Sequence, residues 1–217
     1  MKIPSDLKIG AVFNTNSGLE LKIVEYESAK KIKVRFTSTG YETFAQAGDI
    51  RRGGVKDPMS PLIFGVGFFG VGRFRARENG KLTVRYNTWA DMIQRCYDPK
   101  WHDKKPTYTG CTVCDEWHNY QVFSEWFEDN YIEGFQLDKD IKIDGNKVYS
   151  PETCMFVSGK DNAVKAFAKN YKFINPNGEV VEIYNLREYC ADKDLHDGGL
   201  SNVHSGKWKS YKGWTKA

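Results

Sequence analysis

The sequence predicts an α+β protein, and three observations carry that prediction. Apolar and polar residues alternate with a period of two along much of the first 52 residues, which is typical of strands. Residues 86–98 and 115–131 place apolar side chains at helical spacing. A hairpin pattern followed by two short helical segments occupies residues 171–204. We therefore expect modules at 1–60, 86–168 and 171–217, with a linker and basic extended segment at 61–85.

The composition predicts a protein of the cytoplasm with no membrane partner. The 217 residues have a mean hydropathy of −0.60 and contain no apolar run near the ~20 residues that a membrane span requires. The first ten residues have no apolar core after the lysine, so a secretory leader is not expected. Five cysteines without an export signal predict reduced thiols.

Residues 1–60 are expected to form a small, barrel-like β module, and a curled sheet is the alternative form. Residues 19–23 and 32–36 alternate apolar with charged side chains, and Asn, Ser, Thr and Gly residues suitable for turns occur at 14–18 and 38–40. No motif in this module indicates a function.

The linker region contains a glycine-rich stretch and then a row of arginines. The glycines of residues 65–72 resemble a nucleotide-binding loop, but no Gly-Lys-Ser/Thr follows, so we expect a flexible, partly buried connector. Arg73, Arg75 and Arg77 then alternate along one side of an extended segment. Such a row can bind phosphates or simply face water, and both interpretations stay open here.

Charge is distributed unevenly along the chain. Residues 115–161 carry 4 basic and 11 acidic groups, whereas residues 58–114 carry 9 and 4, and residues 162–217 carry 9 and 6. This pattern suits a metal-binding centre between arms that bind a polyanion, although an acidic solvated surface explains it equally simply.

The central module is expected to consist of two helices and a strand-turn-strand-helix segment. The aromatic stripe of residues 115–131 indicates core, and the polar residues 98–110 indicate a loop. Residues 136–162 predict a strand, a turn at Asp144-Gly145-Asn146 and a second strand around Val148-Tyr149. A helix is predicted from near Ser158 to Ala168.

The C-terminal module combines a hairpin with basic and aromatic residues. The turn signal at residues 175–178 joins strands at 171–174 and 180–183, and helices are predicted at 186–192 and about 199–204. The last fourteen residues carry four lysines and no acid, interleaved with Trp208, Tyr211 and Trp214. This pattern favours a nucleic-acid surface, and a capping subdomain is the alternative.

Several motifs occur in a fixed order along residues 86–165. They are Tyr86-Asn87-Thr88-Trp89, Arg95-Cys96-Tyr97, Val113-Cys114-Asp115-Glu116-Trp117, Leu137-Asp138-Lys139-Asp140 and Tyr149-Ser150-Pro151-Glu152-Thr153-Cys154. Together they resemble the HNH homing-endonuclease-like proteins of bacteriophages, whose centre is a ββα-metal unit. The C-terminal module looks like the modular DNA-binding repeats appended to phage and intron-encoded nucleases, which are similar to a helix-turn-helix.

The resemblance implies metal-dependent hydrolysis of DNA phosphodiester bonds with Mg²⁺ or Mn²⁺. The His-Asn-His signature of that family falls on Lys139, Thr153 and Asn162 of this chain. Asp138 and Asn162 would then hold the metal, Asp140 would support it, and the Lys139 cation would stabilise the phosphate. No imidazole remains in the motif, and His102 and His118 lie outside it.

The implied partner is double-stranded DNA. The implied DNA contacts are Arg73, Arg75, Arg77, Lys207, Trp208, Lys209, Lys212 and Trp214. Cleavage of both strands would need a homodimer or two successive nicks, and a phage-encoded protein would act in the host cytoplasm. Because the signature residues are replaced, a catalytically inactive DNA-binding protein or a phage inhibitor of a host protein is the second interpretation.

The cysteines allow a structural zinc site. Cys111 and Cys114 form the chain's CxxC pair, and Cys96 and Cys154 could complete four ligands. The alternative is that these thiols are reduced and buried in the core, as Cys190 is expected to be.

Overall fold

The computed structural model describes residues 3–143, 145–167 and 169–217. Asp144 of the predicted turn and Ala168 at the predicted helix end lie outside this range. The chain forms two compact units, one of Met1–Asn130 with Gly145–Thr153 and the other of Tyr131–Asp144 with Cys154–Ala217. Both contain helices and strands, as the α+β prediction requires. No helix in the described part of the chain has the length and apolar character needed to cross a membrane.

The N-terminal strands form one antiparallel sheet. They are β1 (Val12–Asn14), β2 (Glu20–Ser28), β3 (Lys31–Phe36) and β4 (Glu42–Ala45), followed by helix α1 (Ala47–Arg51). The strands pair in the order β1-β2-β3-β4, and within the described residues β1 and β4 do not pair with each other. The sheet therefore stays open, and the barrel-like form predicted from the sequence is not closed. The core consists of Leu7, Leu21, Ile23, Ile32, Val34, Phe36, Ala47, Ile50 and Val55.

Helix α4 (Tyr120–Asn130) holds the glycine-rich connector and the residues that follow it. A short hairpin, β5 (Arg77–Glu78) with β6 (Lys81–Leu82), precedes α2 (Val84–Tyr97), α3 (Pro99–Lys104), β7 (Thr112–Val113) and α4 (Tyr120–Asn130). Buried Gln121 accepts a hydrogen bond from the Phe74 N–H at 2.9 Å and donates to the Phe74 carbonyl at 3.0 Å. A Cβ on Gly72 would clash with the Gln121 amide, and one on Gly70 would clash with Asn119. The connector is thus held by hydrogen bonds, and its glycines permit close packing rather than phosphate binding.

Both predicted central helices are present, but α4 begins at Tyr120 rather than at residue 115, because Asp115–His118 form a separate 3-10 turn. Trp89 of α2 donates its indole N–H to the Trp117 carbonyl at 2.8 Å and packs against Tyr120 of α4. Trp117, Phe123 and Phe127 are buried, as the prediction of a core stripe requires. The residues predicted as a polar loop contain α3, which begins where α2 ends. Asp98 accepts from the Lys100 N–H at 3.0 Å, and Pro99 occupies the first helical position, which it suits because it lacks an N–H.

Among the described residues, the region of the candidate centre contains three short strands and a helix. The next elements are β8 (Gln136–Asp138), β9 (Val148–Tyr149), β10 (Met155–Val157) and α5 (Gly159–Phe167). Strand β9 forms where the second strand is predicted, and its partner is β7, with which it pairs in parallel. The antiparallel partner of β8 is β10, whose residues Phe156 and Val157 are buried.

The C-terminal hairpin and both of its helices are confirmed. The elements are β11 (Asn170–Ile174), β12 (Val180–Tyr184), α6 (Leu186–Cys190), α7 (Asp197–His204), β13 (Ser210–Tyr211) and β14 (Trp214–Lys216). Asn175 shapes the turn by accepting from the N–H groups of Asn177 and Glu179 at 2.9 Å each. The last hairpin, unpredicted, adds β14 beside β11 in a sheet of order β12-β11-β14-β13. The core consists of Phe173, Ile183, Leu186, Cys190, Leu200, Val203 and Trp214.

Gln121→Leu is expected to lower the free energy of unfolding by about 2–6 kcal/mol, because the buried N–H and C=O of Phe74 each lose a partner worth about 1–3 kcal/mol. Urea unfolding of the purified protein measures the loss. The matched control is Gln46→Leu, since Gln46 is exposed and makes no side-chain cap bond. Equal stability of the two variants would show that Gln121 does not hold the connector.

Candidate functional site

Strands β8 and β10 and helix α5 form a small unit that carries the predicted metal ligands. The two strands pair antiparallel, with Met155 opposite Asp138. Helix α5 follows β10 directly, and the Ser158 Oγ accepts from the Asp161 N–H at 3.1 Å while donating to the Asp161 carboxylate at 2.7 Å. This reciprocal contact at the helix start confirms the helix beginning predicted near Ser158.

The Asp138 carboxylate is oriented by backbone groups. Its Oδ1 accepts from the N–H of Asp140 at 2.9 Å and from the N–H of Ile141 at 2.6 Å. Its Oδ2 has no hydrogen-bond partner among the residues that the structure describes. One oxygen therefore fixes the turn after β8, and the other makes no bond within the described chain.

Asn162 lies against the same strand as Asp138. Its Nδ2 donates to the Gln136 Oε1 at 3.0 Å, and within the described chain its Oδ1 has no hydrogen-bond partner. Gln136 and Asp138 are two residues apart on β8, so their side chains leave the same face of the strand. Gln136 thus orients the Asn162 amide, a role that strand alternation could have suggested but that sequence reasoning missed.

Lys139 is a buried cation beside this face. It is only 9% exposed, and its Nζ lies 3.2 Å from the Asp140 Oδ2. A buried charge is costly unless it is paired, so this pair fixes both side chains next to Asp138.

Thr153, aligned with the second signature position, has a local structural role. Its Oγ1 donates to the Val148 carbonyl at 2.7 Å and accepts from the Ser150 N–H at 3.1 Å. These bonds close the turn of residues 148–153, which leads the chain toward β10.

The four histidines have other contacts. The His102 Nε2 lies 2.9 Å from the Arg95 carbonyl, and the His118 Nε2 lies 3.0 Å from the Tyr97 hydroxyl. His196 accepts from the Gly198 N–H at the start of α7, and His204 packs edge-on against Tyr171. The contacts of His102, His118 and His196 include hydrogen bonds, whereas the buried His204 Nδ1 has no hydrogen-bond partner among the described residues.

The cysteines are all free thiols. Cys96, Cys111 and Cys154 are buried, and burial raises the pKa of the half-buried Cys114 thiol to about 11. Within residues 3–143, 145–167 and 169–217, no three His, Cys, Asp or Glu side chains form a group that could hold a metal. The zinc site stays a prediction.

The arginine row faces solvent but is partly neutralised. Phe74 is buried, and Arg73, Arg75 and Arg77 are exposed, as the alternation predicts. The Arg73 guanidinium pairs with Glu125 at 2.7 Å, and Arg77 donates to the Gly80 carbonyl at 3.0 Å. In the described part of the chain only Arg75, of these three, makes no side-chain hydrogen bond.

The predicted C-terminal basic surface is divided between the surface and the core. Trp208 is 47% exposed, whereas Trp214 is 8% exposed and packs edge-on against Phe173, which corrects the expectation that its ring faces DNA. Lys212 pairs with Asp194 at 2.7 Å. Lys207 and Lys209 are exposed, and neither side chain makes a hydrogen bond or ion pair with another described residue.

Comparison with known proteins adds one weak likeness. No family model matches the chain, and no curated protein matches it. A solved structure of the HNH homing endonuclease I-HmuI, concerned with its DNA binding and cleavage, matches at 23% identity and a TM-score of 0.22. The match covers 40% of this chain and 59% of that one, which is less than two thirds of its length. A likeness at this TM-score does not establish a shared fold.

The two tryptophans are expected to respond differently to substitution. Trp214→Ala removes a ring from the C-terminal core and is expected to lower the free energy of unfolding by about 3–5 kcal/mol. Trp208→Ala removes a half-exposed ring and is expected to change it by less than about 1 kcal/mol. Urea unfolding followed by circular dichroism compares them, and equal losses would contradict the assignment of Trp214 to the core.

Proposed function

We propose that this protein binds DNA and hydrolyses its phosphodiester bonds at an HNH-type centre formed by β8, β10 and α5. The observation that carries the proposal is the pair of open oxygens, Oδ2 of Asp138 and Oδ1 of Asn162, on side chains oriented by other groups of the same unit. Carboxylate and amide oxygens are hard ligands suited to Mg²⁺ or Mn²⁺. The ordered motifs of residues 86–165 give independent support from the sequence.

The chain's own groups would divide the work of hydrolysis. Asp138 and Asn162 would hold the divalent cation, and a bound cation stabilises the negative charge that develops on the phosphate and the leaving oxygen. Asp140 would keep Lys139 in position through their ion pair, and the Lys139 ammonium would add positive charge near the phosphate. Water would attack phosphorus, and the bond to the leaving oxygen would break.

DNA recognition would use the cations that the protein leaves unpaired. Arg75, Lys207 and Lys209 are exposed and free of carboxylate partners among the described residues, and half-exposed Trp208 offers an aromatic face. Unpaired cations are the groups that gain most from phosphate contacts, because no protein ion pair must be broken first. An origin in a phage or mobile element, and action in the host cytoplasm, belong to this proposal.

The second candidate is a DNA-binding protein without cleavage. The observation favouring it is that Lys139 stands where the family has its first signature histidine. Lys139 is buried and paired with Asp140, and the imidazoles of His102 and His118 make contacts elsewhere. Such a protein would act by occupying its site on DNA. An inhibitor of a host protein is the other form of this candidate, and its affinity for DNA would depend little on salt.

Asp138→Asn is expected to reduce nicking of supercoiled plasmid and phage DNA in Mg²⁺ or Mn²⁺ by at least about 100-fold, because it removes the anionic metal ligand. The asparagine can still accept from the N–H groups of residues 140 and 141, so the turn is retained. Asn162→Ala is expected to act in the same direction. The charge-matched control is Asp129→Asn, which changes an exposed residue of α4.

Wild-type protein that fails to nick in either metal while still binding DNA would refute hydrolysis and leave the occupancy candidate. Nicking that survives both Asp138→Asn and Asn162→Ala would mean that the activity resides elsewhere in the chain.

Metal binding separates the two candidates without any cleavage assay. Isothermal titration of the wild-type protein with Mn²⁺ is expected to show saturable binding that weakens at least about tenfold in Asp138→Asn. A nuclease requires this binding, and a protein that acts by occupancy does not. Wild-type and variant titrations that coincide would remove the metal from the proposal.

A further inference from the structure

The second unit contains a groove that none of the predicted contacts uses. It encloses about 800 Å³ and lies between α5 and the C-terminal module. Its walls come from α5, β11, α6 and α7, and they include the apolar side chains of Val164, Leu186 and Ala191. The charged residues that line the groove are the evidence for a ligand.

Three cations line this groove, and the described residues offer them no partner. Lys160 on α5, Lys169 before β11 and Arg187 on α6 are exposed, and their side chains make no hydrogen bond or ion pair with any described residue. Three such cations on separate elements around one groove raise the local positive potential, which favours an extended anion over a single small one.

The acidic residues of the groove are already engaged. The Glu188 Oε2 accepts from the Asn185 Nδ2 at 3.0 Å, at the first turn of α6. The Asp197 Oδ1 accepts from the Gly198 N–H at 2.9 Å and lies 3.4 Å from the His196 Nδ1. These carboxylates serve the starts of their helices, so they do not neutralise the three cations through direct contact.

We infer that the groove holds one sugar-phosphate strand of duplex DNA. The cations match the phosphates, and the apolar side chains that line the same groove suit the deoxyribose rings. This inference rests on the DNA binding proposed above, and it adds a contact surface to that binding. Lys160 and Val164 line the groove four residues apart on α5, whereas Asn162 faces β8. The groove therefore lies on a different face of α5 from the candidate metal ligand.

The experiment measures DNA affinity against salt concentration in EDTA, so that cleavage cannot interfere. Removing one cation that binds a phosphate lowers the steepness of log affinity against log salt by about 1. Lys160→Ala with Arg187→Ala is expected to reduce the slope by about 2 and to weaken binding at every salt concentration. Lys160→Arg with Arg187→Lys keeps both charges and is expected to keep the slope.

The matched control removes two lysines that already have partners in the same unit. Lys172 pairs with Glu182 at 2.6 Å, and Lys193 pairs with Asp192 at 3.2 Å. Lys172→Ala with Lys193→Ala changes the net charge by the same amount and is expected to leave the slope within about 0.5 of wild type. Circular dichroism confirms that each variant is folded.

The outcomes distinguish this inference from the proposed function. If wild type binds DNA with a salt slope that both double alanine variants share, the groove inference is overturned and the DNA binding stands. If wild type shows the groove-dependent slope but does not nick DNA in Mg²⁺ or Mn²⁺, hydrolysis fails and the groove stands. If wild type does not bind DNA, both are overturned.

Discussion

The central part of this protein depends on polar side chains of a helix. These side chains form the hydrogen bonds to an extended backbone segment that a neighbouring β-strand would otherwise form. Gln121 bonds both the N–H and the C=O of Phe74, as a neighbouring strand would. Tyr120, the preceding residue of α4, donates its hydroxyl hydrogen to the Arg75 carbonyl at 3.0 Å. Two adjacent helical residues thereby fix the extended segment that presents the arginine row. Buried backbone groups must be paired, and here a helix supplies the partners.

The same constraint shapes the candidate centre. Strands β8 and β10 are each three residues long, too short to set a precise geometry through their ladder alone. The Asp138 carboxylate fixes the turn that follows β8, and Gln136 fixes the amide of Asn162. In Asp138 and Asn162, one polar atom of the side chain makes these structural hydrogen bonds, and the other atom, an oxygen, makes none within the described chain. A rigid turn and a ligand site are thus compatible in the same residues.

Ion pairing decides which basic residues stay available to the DNA that we propose as the partner. Arg73 and Lys212 are matched by Glu125 and Asp194, so a phosphate would have to compete with a carboxylate for each of them. Arg75 has no such competitor among the described residues. The acidic surplus of residues 115–161 therefore has a local consequence in α4, where Glu125 and Glu128 each pair with an arginine. Because only some of the basic residues are paired with carboxylates, the basic surface available to a polyanion is smaller but still present.

Local physical chemistry made much of the fold readable in the sequence. The alternation of residues 32–36 determined a strand with one buried face, and the turn signal around Asn175 determined the C-terminal hairpin, because both patterns act over a few residues. The helical spacing around Trp89 likewise determined α2. The sequence also showed that the candidate ligands Asp138 and Asn162 carry oxygen atoms suited to Mg²⁺, since the ligand atom is a property of the side chain.

Tertiary structure decided everything that requires a distant partner. Strand β10 rather than β9 lies beside β8, because β9 pairs with β7, more than thirty residues earlier in the chain. Trp214 is in the core and Trp208 is not, although both stand among lysines in the same short segment. The groove at Lys160 and Arg187 joins residues that are 27 positions apart. Periodicity reports the faces of single elements, whereas pairing and packing between elements depend on the whole folded chain.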